Sequence, residues 1–365
     1  MRRRTPLLTA LALTLLTGCG SGESGVGTSA PPSTEAGGPS TEAAAGFERL
    51  PVTTTEDYPA SSRIAQWREQ VPDLQELSIP STADGTEQPA FFVAPPEDAG
   101  PAPLLVVLHS WSSDWRQENG IPYAQFAQQE GWAMIAPDFR GINQRPESTG
   151  SDLVVQDVLD AVDEADRRAD VDPEQVYLVG FSGGGHLGLL MAGRHPDRFA
   201  GVVSWVPIHD LTEWYAHRLQ QPDGDYVGEI VASCGGDPSQ PGPARAECLD
   251  RSPVTYLDAA RDSDTAFYLA AGIDDQNVPP DHTLEAFNQL APDAAVAPEA
   301  VESVAGNELP SELGVDPEVD IFFGSEDPDV VFARSADDVT VVLFDAGHAM
   351  VFNPGMAWLV DQAAS

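Results

Sequence analysis

A chain of 365 residues with 42% hydrophobic content has room for one large domain or two small ones, with a sizeable buried core. Its 58 acidic residues stand against 18 basic ones, a formal net charge of −40, and every basic residue is Arg. A surface so poor in cations excludes nucleic acid as a partner, because phosphate binding needs clustered positive charge, and three Cys are too few for a disulfide scaffold.

The chain opens on a cationic stretch, Met1-Arg2-Arg3-Arg4, followed over 7–16 by an apolar run too short to span a bilayer as a mature helix. Next stands Leu16-Thr17-Gly18-Cys19, which resembles the lipobox of bacterial lipoproteins. The resemblance implies a signal peptide over 1–18, cut before Cys19, whose thiol is then lipidated; an ordinary secretory signal with an incidental Cys is the alternative. Residues 19–46 are mostly Gly, Ser, Pro, Thr, Ala and Glu, with almost nothing to bury, and read as a flexible tether. On this reading the product is extracytoplasmic, meets the membrane only through the lipid on Cys19, and carries a single domain over 47–365.

A short helix over 62–69 carries Trp67, and 75–79 with 90–94 read as an edge hairpin turning at Asp84-Gly85. From there the rhythm is strand, loop, helix. Strands are predicted at 104–108, 132–136, 176–179, 201–206, 266–271 and 339–344, and helices at 123–129, 153–168, 283–290 and 356–362. Such alternation predicts an α/β fold: a mostly parallel central sheet with helices on both faces. Two segments break the rhythm. Residues 209–262, with Trp214, Tyr215, Tyr226 and Tyr256, are a candidate cap over a site. Within them Cys234 and Cys248 either close a small loop as a disulfide, as exported proteins allow, or stay as two free thiols. Residues 291–336, acidic and rich in Pro and Ala, read as a surface insertion with one short helix near 299–305 and no chemistry.

The strand at 176–179 breaks at Gly180-Phe181-Ser182-Gly183-Gly184, and helical spacing resumes through Leu187, Leu190 and Met191. Strand, sharp turn with Ser at its apex, then helix is the context in which G-x-S-x-G marks a nucleophile elbow; a Gly-rich turn that happens to hold a Ser is the bland alternative. Gly180 and Gly184 leave room for the neighbouring strand and helix, and the helix N-terminus aims its N–H groups where an oxyanion forms. A Ser nucleophile needs a base and a carboxylate to orient that base. The strand at 266–271 ends in Gly272-Ile273-Asp274-Asp275-Gln276-Asn277-Val278-Pro279, and the strand at 339–344 ends in Asp345-Ala346-Gly347-His348. Both loops therefore leave the sheet edge that carries Ser182.

Taken together, Gly180-Phe181-Ser182-Gly183-Gly184, Gly272-x-x-Asp275-x-x-Val278-Pro279 and Gly347-His348 resemble the α/β-hydrolase superfamily, and most of all the catalytic domain of the prolyl oligopeptidase family. Pro137-Asp138-Phe139-Arg140-Gly141 resembles that family's stretch after an early strand. The resemblance implies an α/β-hydrolase fold with Ser182 as nucleophile, His348 as base and Asp275 as the acid; aligning on Gly272 and Val278 selects Asp275, with Asp274 as its alternative. One oxyanion donor is then the N–H of Gly183. The other is by position Trp111, although the His-Gly of relatives reads His109-Ser110 here. The rings of Trp111 and Trp115 either wall the pocket or pack beneath it.

The expected activity is hydrolysis of an ester or peptide/amide bond in a small-molecule ester or peptide substrate, through an acyl-enzyme. The chain is too short for the β-propeller that precedes this domain in oligopeptidases, which makes a carboxylesterase acting on a small acyl or polysaccharide-linked ester a near-equal reading. A non-catalytic surface binding lipoprotein is the reading from another class. No metal or organic cofactor is called for: the Gly183-Gly184-Gly185 run lacks the G-K-[ST] of a phosphate loop, and His186, His195, His209, His217 and His282 lack metal-ligand spacing such as H-E-x-x-H. They read as scattered surface or packing histidines.

Overall fold

Strands β1 (Gln75–Pro80), β2 (Glu87–Val93), β3 (Ala102–Leu108), β4 (Ala133–Pro137), β5 (Val171–Phe181), β6 (Gly201–Trp205), β7 (Ala266–Gly272), β8 (Val330–Ala336) and β9 (Val339–Phe344) form one sheet. They lie in the order β1-β2-β4-β3-β5-β6-β7-β9-β8. This is a computed structural model, and it describes residues 46–364 apart from 52–53, 56–61, 98–99, 222–224, 312 and 325–326. The expected signal peptide, Cys19 and all of the tether but Gly46 lie outside the described residues.

Strands β4, β3, β5, β6, β7 and β9 run parallel. The β1–β2 hairpin and β8 add antiparallel edges. The helices are α1 (Ile64–Gln70), α2 (Ile121–Glu130), α3 (Asp152–Arg168), α4 (Gly183–Arg194), α5 (Leu211–Arg218), α6 (Asp225–Ser233), α7 (Pro243–Asp250), α8 (Leu257–Arg261), α9 (Asp281–Leu290), α10 (Pro298–Ala305), α11 (Pro317–Phe323) and α12 (Phe352–Ala363). Strand β6 shows that both faces are covered. Helix α4 meets Val202 and Ser204 through Gly188 and Gly185, whereas α12 meets Val203 and Trp205 through Gly355 and Gly201 through Trp358. Successive strand residues point to opposite faces, so α4 and α12 lie on opposite sides. Burial on both faces is why β3, β4 and β7 read as apolar runs rather than as alternating ones, and why β6 and β9 are broken only by the buried Ser204 and Thr340.

The two irregular segments differ in part from expectation. The segment at 291–336 is not only a surface insertion. It supplies β8, which pairs with β9, and α11, whose Val319, Phe322 and Phe323 are buried in the main core. Their spacing of three and four residues sets them on one helix face, and the acidic residues around them, Asp316, Glu318 and Asp320, hid the pattern. The helix expected near 299–305 is α10.

The excursion at 209–262 is helical, but its tail belongs to the core: Leu257 and Ala260 on α8 join the main apolar cluster. The rest builds a separate cluster in which Leu211, Trp214 and Ile230, with Ile208 just ahead of the excursion, meet Trp111 and Val278 from two loops of the sheet edge. Cys234, just after α6, and Cys248, on α7, are joined as a disulfide with an S–S distance of 2.01 Å. Among the described residues no helix is long and apolar enough to cross a membrane.

Candidate active site

Between β5 and α4 the backbone of Ser182 takes φ 58° and ψ −116°, a region sparsely populated by residues with a side chain and held only when the surroundings over-determine it. Here Ser182 N–H donates to the Trp205 carbonyl at 2.8 Å, and the Ser182 carbonyl accepts from His186 N–H at 2.9 Å. The turn also needs its glycines. A Cβ on Gly180 would stand 2.2 Å from the Gly184 carbonyl, and one on Gly184 would stand 2.2 Å from the Leu108 carbonyl. Ser182 is left 5% exposed.

After β7, the Asp275 carboxylate is fully enclosed, and all its hydrogen bonds are to defined partners. Oδ1 accepts from Asn277 N–H at 2.8 Å and from Val278 N–H at 3.0 Å, while Oδ2 lies 2.7 Å from Nδ1 of His348. Burying a carboxylate is costly unless it is paired and hydrogen-bonded in this way. Asp274, by contrast, is exposed; its N–H donates to the Ala346 carbonyl at 2.9 Å and ties the acid loop to the His348 loop. The structure therefore brings Asp275, and not Asp274, to His348. The ring of His348 also lies 4.9 Å from that of Phe181, the residue before Ser182. No hydrogen bond joins Ser182 Oγ to His348 among the described residues; such contacts commonly close only around a bound substrate.

The loop after β3 meets the elbow closely: a Cβ on Gly183 would lie 2.6 Å from the Trp111 nitrogen. Neither of these two N–H groups donates to a described residue, so both are available to one oxyanion. Ser110 in place of Gly is accommodated because its N–H donates to Gln117 Oε1 at 2.7 Å and its hydroxyl accepts from Gln117 Nε2 at 2.9 Å. The Trp111 carbonyl accepts from Asn143 N–H at 2.9 Å. His109 stacks on Phe139 at 3.8 Å and 5°, with Nε2 2.6 Å from the Asp138 carbonyl. Burial pushes the Asp138 carboxyl above its usual range. Phe139 and Arg140 have positive φ, and Arg140 anchors them through Asp157, Asp84 and Ser81.

The ring of Trp111 packs under the cap. It is edge-on to Trp214 at 4.8 Å, and its Nε1 donates to Glu229 at 2.6 Å. Trp115 packs against the main core and carries Arg116 over its face. His186 is buried on the elbow helix with Nδ1 2.9 Å from the Ile208 carbonyl, and burial pushes its imidazole down to about 4.

One residue that supports the site had no sequence signal. Asn307, just past α10, donates from Nδ2 to the Ile273 carbonyl at 2.6 Å and accepts from Gln276 at Oδ1. It thus clasps the acid loop from the segment expected to hold no chemistry.

This strand order, with an elbow Ser on β5 and loops from β7 and β9 converging at its edge, defines an α/β-hydrolase fold. Residues 122–302, a span that includes the elbow and the acid loop, match the model of the prolyl oligopeptidase family. Over 192 residues the chain is 30% identical to the "Putative esterase NocK" of Nocardia uniformis subsp. tsuyamanensis, covering 48% of this chain and 53% of that protein. Over 153 residues it is 28% identical to the dipeptidyl-peptidase 5 of Porphyromonas gingivalis, covering 37% and 21%. The chain thus spans about half the length of the first of these relatives and a smaller share of the second. A solved structure from work on two prolyl endopeptidases shares the fold, with a TM-score of 0.52 at 16% identity over 80% of this chain and 38% of that one. The family match and the esterase and peptidase relatives support a serine hydrolase.

Proposed function

We propose that Ser182, His348 and Asp275 form the triad of an acyl hydrolase that cleaves an ester or amide bond. The observation that carries this reading is the 2.7 Å contact between buried Asp275 and His348 on the sheet edge where Ser182 sits. Ser182 Oγ adds to the acyl carbonyl as His348 Nε2 takes its proton. Asp275 holds the other ring nitrogen as the donor, so that Nε2 is the base. The carbonyl oxygen becomes an anion held by the N–H groups of Gly183 and Trp111, a contribution of about 3 kcal/mol per donor in such sites. Collapse expels the alcohol or amine, which takes the proton from His348. Water then repeats the steps, releasing the acid and restoring Ser182.

A carboxylesterase acting on small acyl groups is favoured over an oligopeptidase by the cap: Ser182 is 5% exposed, and the nearby Trp111 packs directly against cap residues. A fluorophosphonate probe tests the chemistry, with labelling expected in the parent chain and none in Ser182→Ala; equal labelling of both would refute it. Turnover of p-nitrophenyl esters against aminoacyl and dipeptidyl anilides separates the substrate classes, and efficient anilide cleavage would overturn the esterase preference.

The reading includes export and a lipid anchor on Cys19. The Cys234–Cys248 disulfide supports an oxidising compartment, where such bonds persist. Radiolabelled palmitate should mark the parent and not Cys19→Ala, and equal labelling would refute the anchor.

A further inference from the structure

Helices α5 and α9 face each other with a group of ionisable side chains that the hydrolytic site does not use. Glu213 on α5 and His282 and Glu285 on α9 present donor atoms that all lie within 4.8 Å of one another. His209, just ahead of α5, is 5% exposed and turns its Nδ1 to within 3.6 Å of Glu285 Oε2.

The protons in this group can be traced. Gln289 donates from Nε2 to the Val254 carbonyl at 3.0 Å, which turns its Oε1 toward His209 Nε2 at 2.8 Å. An amide oxygen only accepts, so the ring proton of His209 sits on Nε2. Its Nδ1 is then a buried lone pair without a hydrogen-bond partner, aimed at a carboxylate. The Nδ1 of His282 accepts from His209 N–H at 3.3 Å. Two carboxylates add further lone pairs to the same small volume, and Oδ1 of neighbouring Asp281 is also buried without a partner. Lone pairs converging in this way repel each other unless a positive centre stands among them.

We propose that Glu213 and Glu285 bind one zinc-class divalent cation that clamps cap helix α5 onto α9, with His282, whose donor atom converges with theirs, and His209, whose Nδ1 faces Glu285, as the imidazole donors. Mixed imidazole and carboxylate donors suit zinc rather than calcium or magnesium, which prefer oxygen alone. His209 has the arrangement expected of a metal-binding histidine: its second nitrogen donates to a fixed carbonyl-type oxygen, which sets the tautomer and leaves the first free to ligate. Glu213, though exposed, already turns its carboxylate toward the group. The five His considered from sequence show no ligand spacing because the site is assembled across a distance of more than sixty residues, between two helices brought together by the fold. The clamp has a structural role: α5 bears Trp214, whose Nε1 donates to the Asn277 carbonyl in the acid loop at 2.8 Å, and α9 begins just beyond that loop.

The test uses the full chain, stripped with a chelator and titrated with zinc chloride by calorimetry, with the melting temperature followed in parallel. One zinc per chain and a melting temperature that climbs with zinc are expected. Glu285→Gln and Glu213→Gln should each weaken binding by about tenfold or more, and His195→Gln, outside the group, should leave it unchanged. Glu213→Gln changes an exposed side chain and keeps the test open if Glu285→Gln does not fold. Absence of zinc binding, or binding undiminished in Glu213→Gln, would overturn the proposal; the first outcome assigns the positive centre to a proton held on Glu213, whose carboxyl is pushed up by burial and by neighbouring Glu285, the second to an adventitious ion only.

Discussion

Replacing Asp275 by Asn changes one atom in the proposed triad and leaves its surroundings in place. The Asn oxygen still accepts from the N–H groups of Asn277 and Val278, which hold Oδ1 at 2.8 and 3.0 Å, so the loop keeps its shape. At the other position an NH2 group now stands where Oδ2 lay 2.7 Å from His348 Nδ1. Two donors cannot face each other, so the ring must present a lone pair at Nδ1 and carry its proton on Nε2. That tautomer cannot accept the proton of Ser182. The expected loss in kcat is about 10⁴-fold, or about 5.5 kcal/mol of transition-state stabilisation, with little change in KM. Turnover of p-nitrophenyl acetate and the rate of fluorophosphonate labelling measure it, and an unchanged melting temperature shows that the fold is kept. The matched control is Asp274→Asn, an exposed neighbour that reaches the His348 loop through its backbone N–H, and it should stay within about twofold of the parent. Equal losses in the two variants, or more than about a tenth of kcat surviving in Asp275→Asn, would refute the assignment.

Three further perturbations probe the supports. Asn307→Ala removes the clasp on the Ile273 carbonyl and should lower kcat/KM by about tenfold, equivalent to about 1.4 kcal/mol, with the melting temperature falling only slightly; an unchanged kcat/KM would show that the acid loop holds itself. Arg140→Met leaves the Asp157 carboxylate, fully enclosed, without its cation and should destabilise the chain to denaturant by about 3–5 kcal/mol, whereas a change below about 1 kcal/mol would mean that the pair contributes little. His186 stays neutral in the folded chain down to about pH 4 but takes a proton near 6.5 when unfolded. The unfolded state therefore binds more protons between those values, and stability present above pH 6.5 declines as pH falls toward 4, by about 3 kcal/mol from this group alone. Denaturant midpoints measured across that range should fall less steeply in His186→Asn; identical slopes would remove His186 from the acid response.

The sheet and the elbow were legible because each is encoded by adjacent residues. Central strands such as β3 and β7 are continuous apolar runs, and the break at Gly180–Gly184 is a local necessity of backbone packing. The acid and His loops could be placed because each follows a readable strand directly. Choosing between Asp274 and Asp275 from sequence needed an alignment, since both are acidic and adjacent; burial separates them at once. What escaped was whatever depends on distant partners. Val330-Val331-Phe332-Ala333 is a short apolar run that becomes a strand only because β9 offers it an open edge, and α11 was masked by the acidic residues among its buried ones. Asn307 carries no local mark at all, because its side-chain hydrogen bonds reach a loop more than thirty residues away.

The cap belongs to the same category, and its wiring bears on what it can do. Trp111 joins the oxyanion loop to cap residue Glu229 through Nε1, and Trp214 joins the cap to the acid loop through the Asn277 carbonyl. Val278, whose N–H holds Asp275, sits in the same apolar cluster as both tryptophans. Two loops of the proposed machinery therefore end in contacts with the cap, and the cap is fixed in turn by the Cys234–Cys248 link. A displacement of α5 large enough to open the site would break the Trp214 bond and loosen the turn that presents Asp275. Substrate entry and triad geometry are coupled in this arrangement, so substitutions in the cap should alter kcat together with KM rather than KM alone.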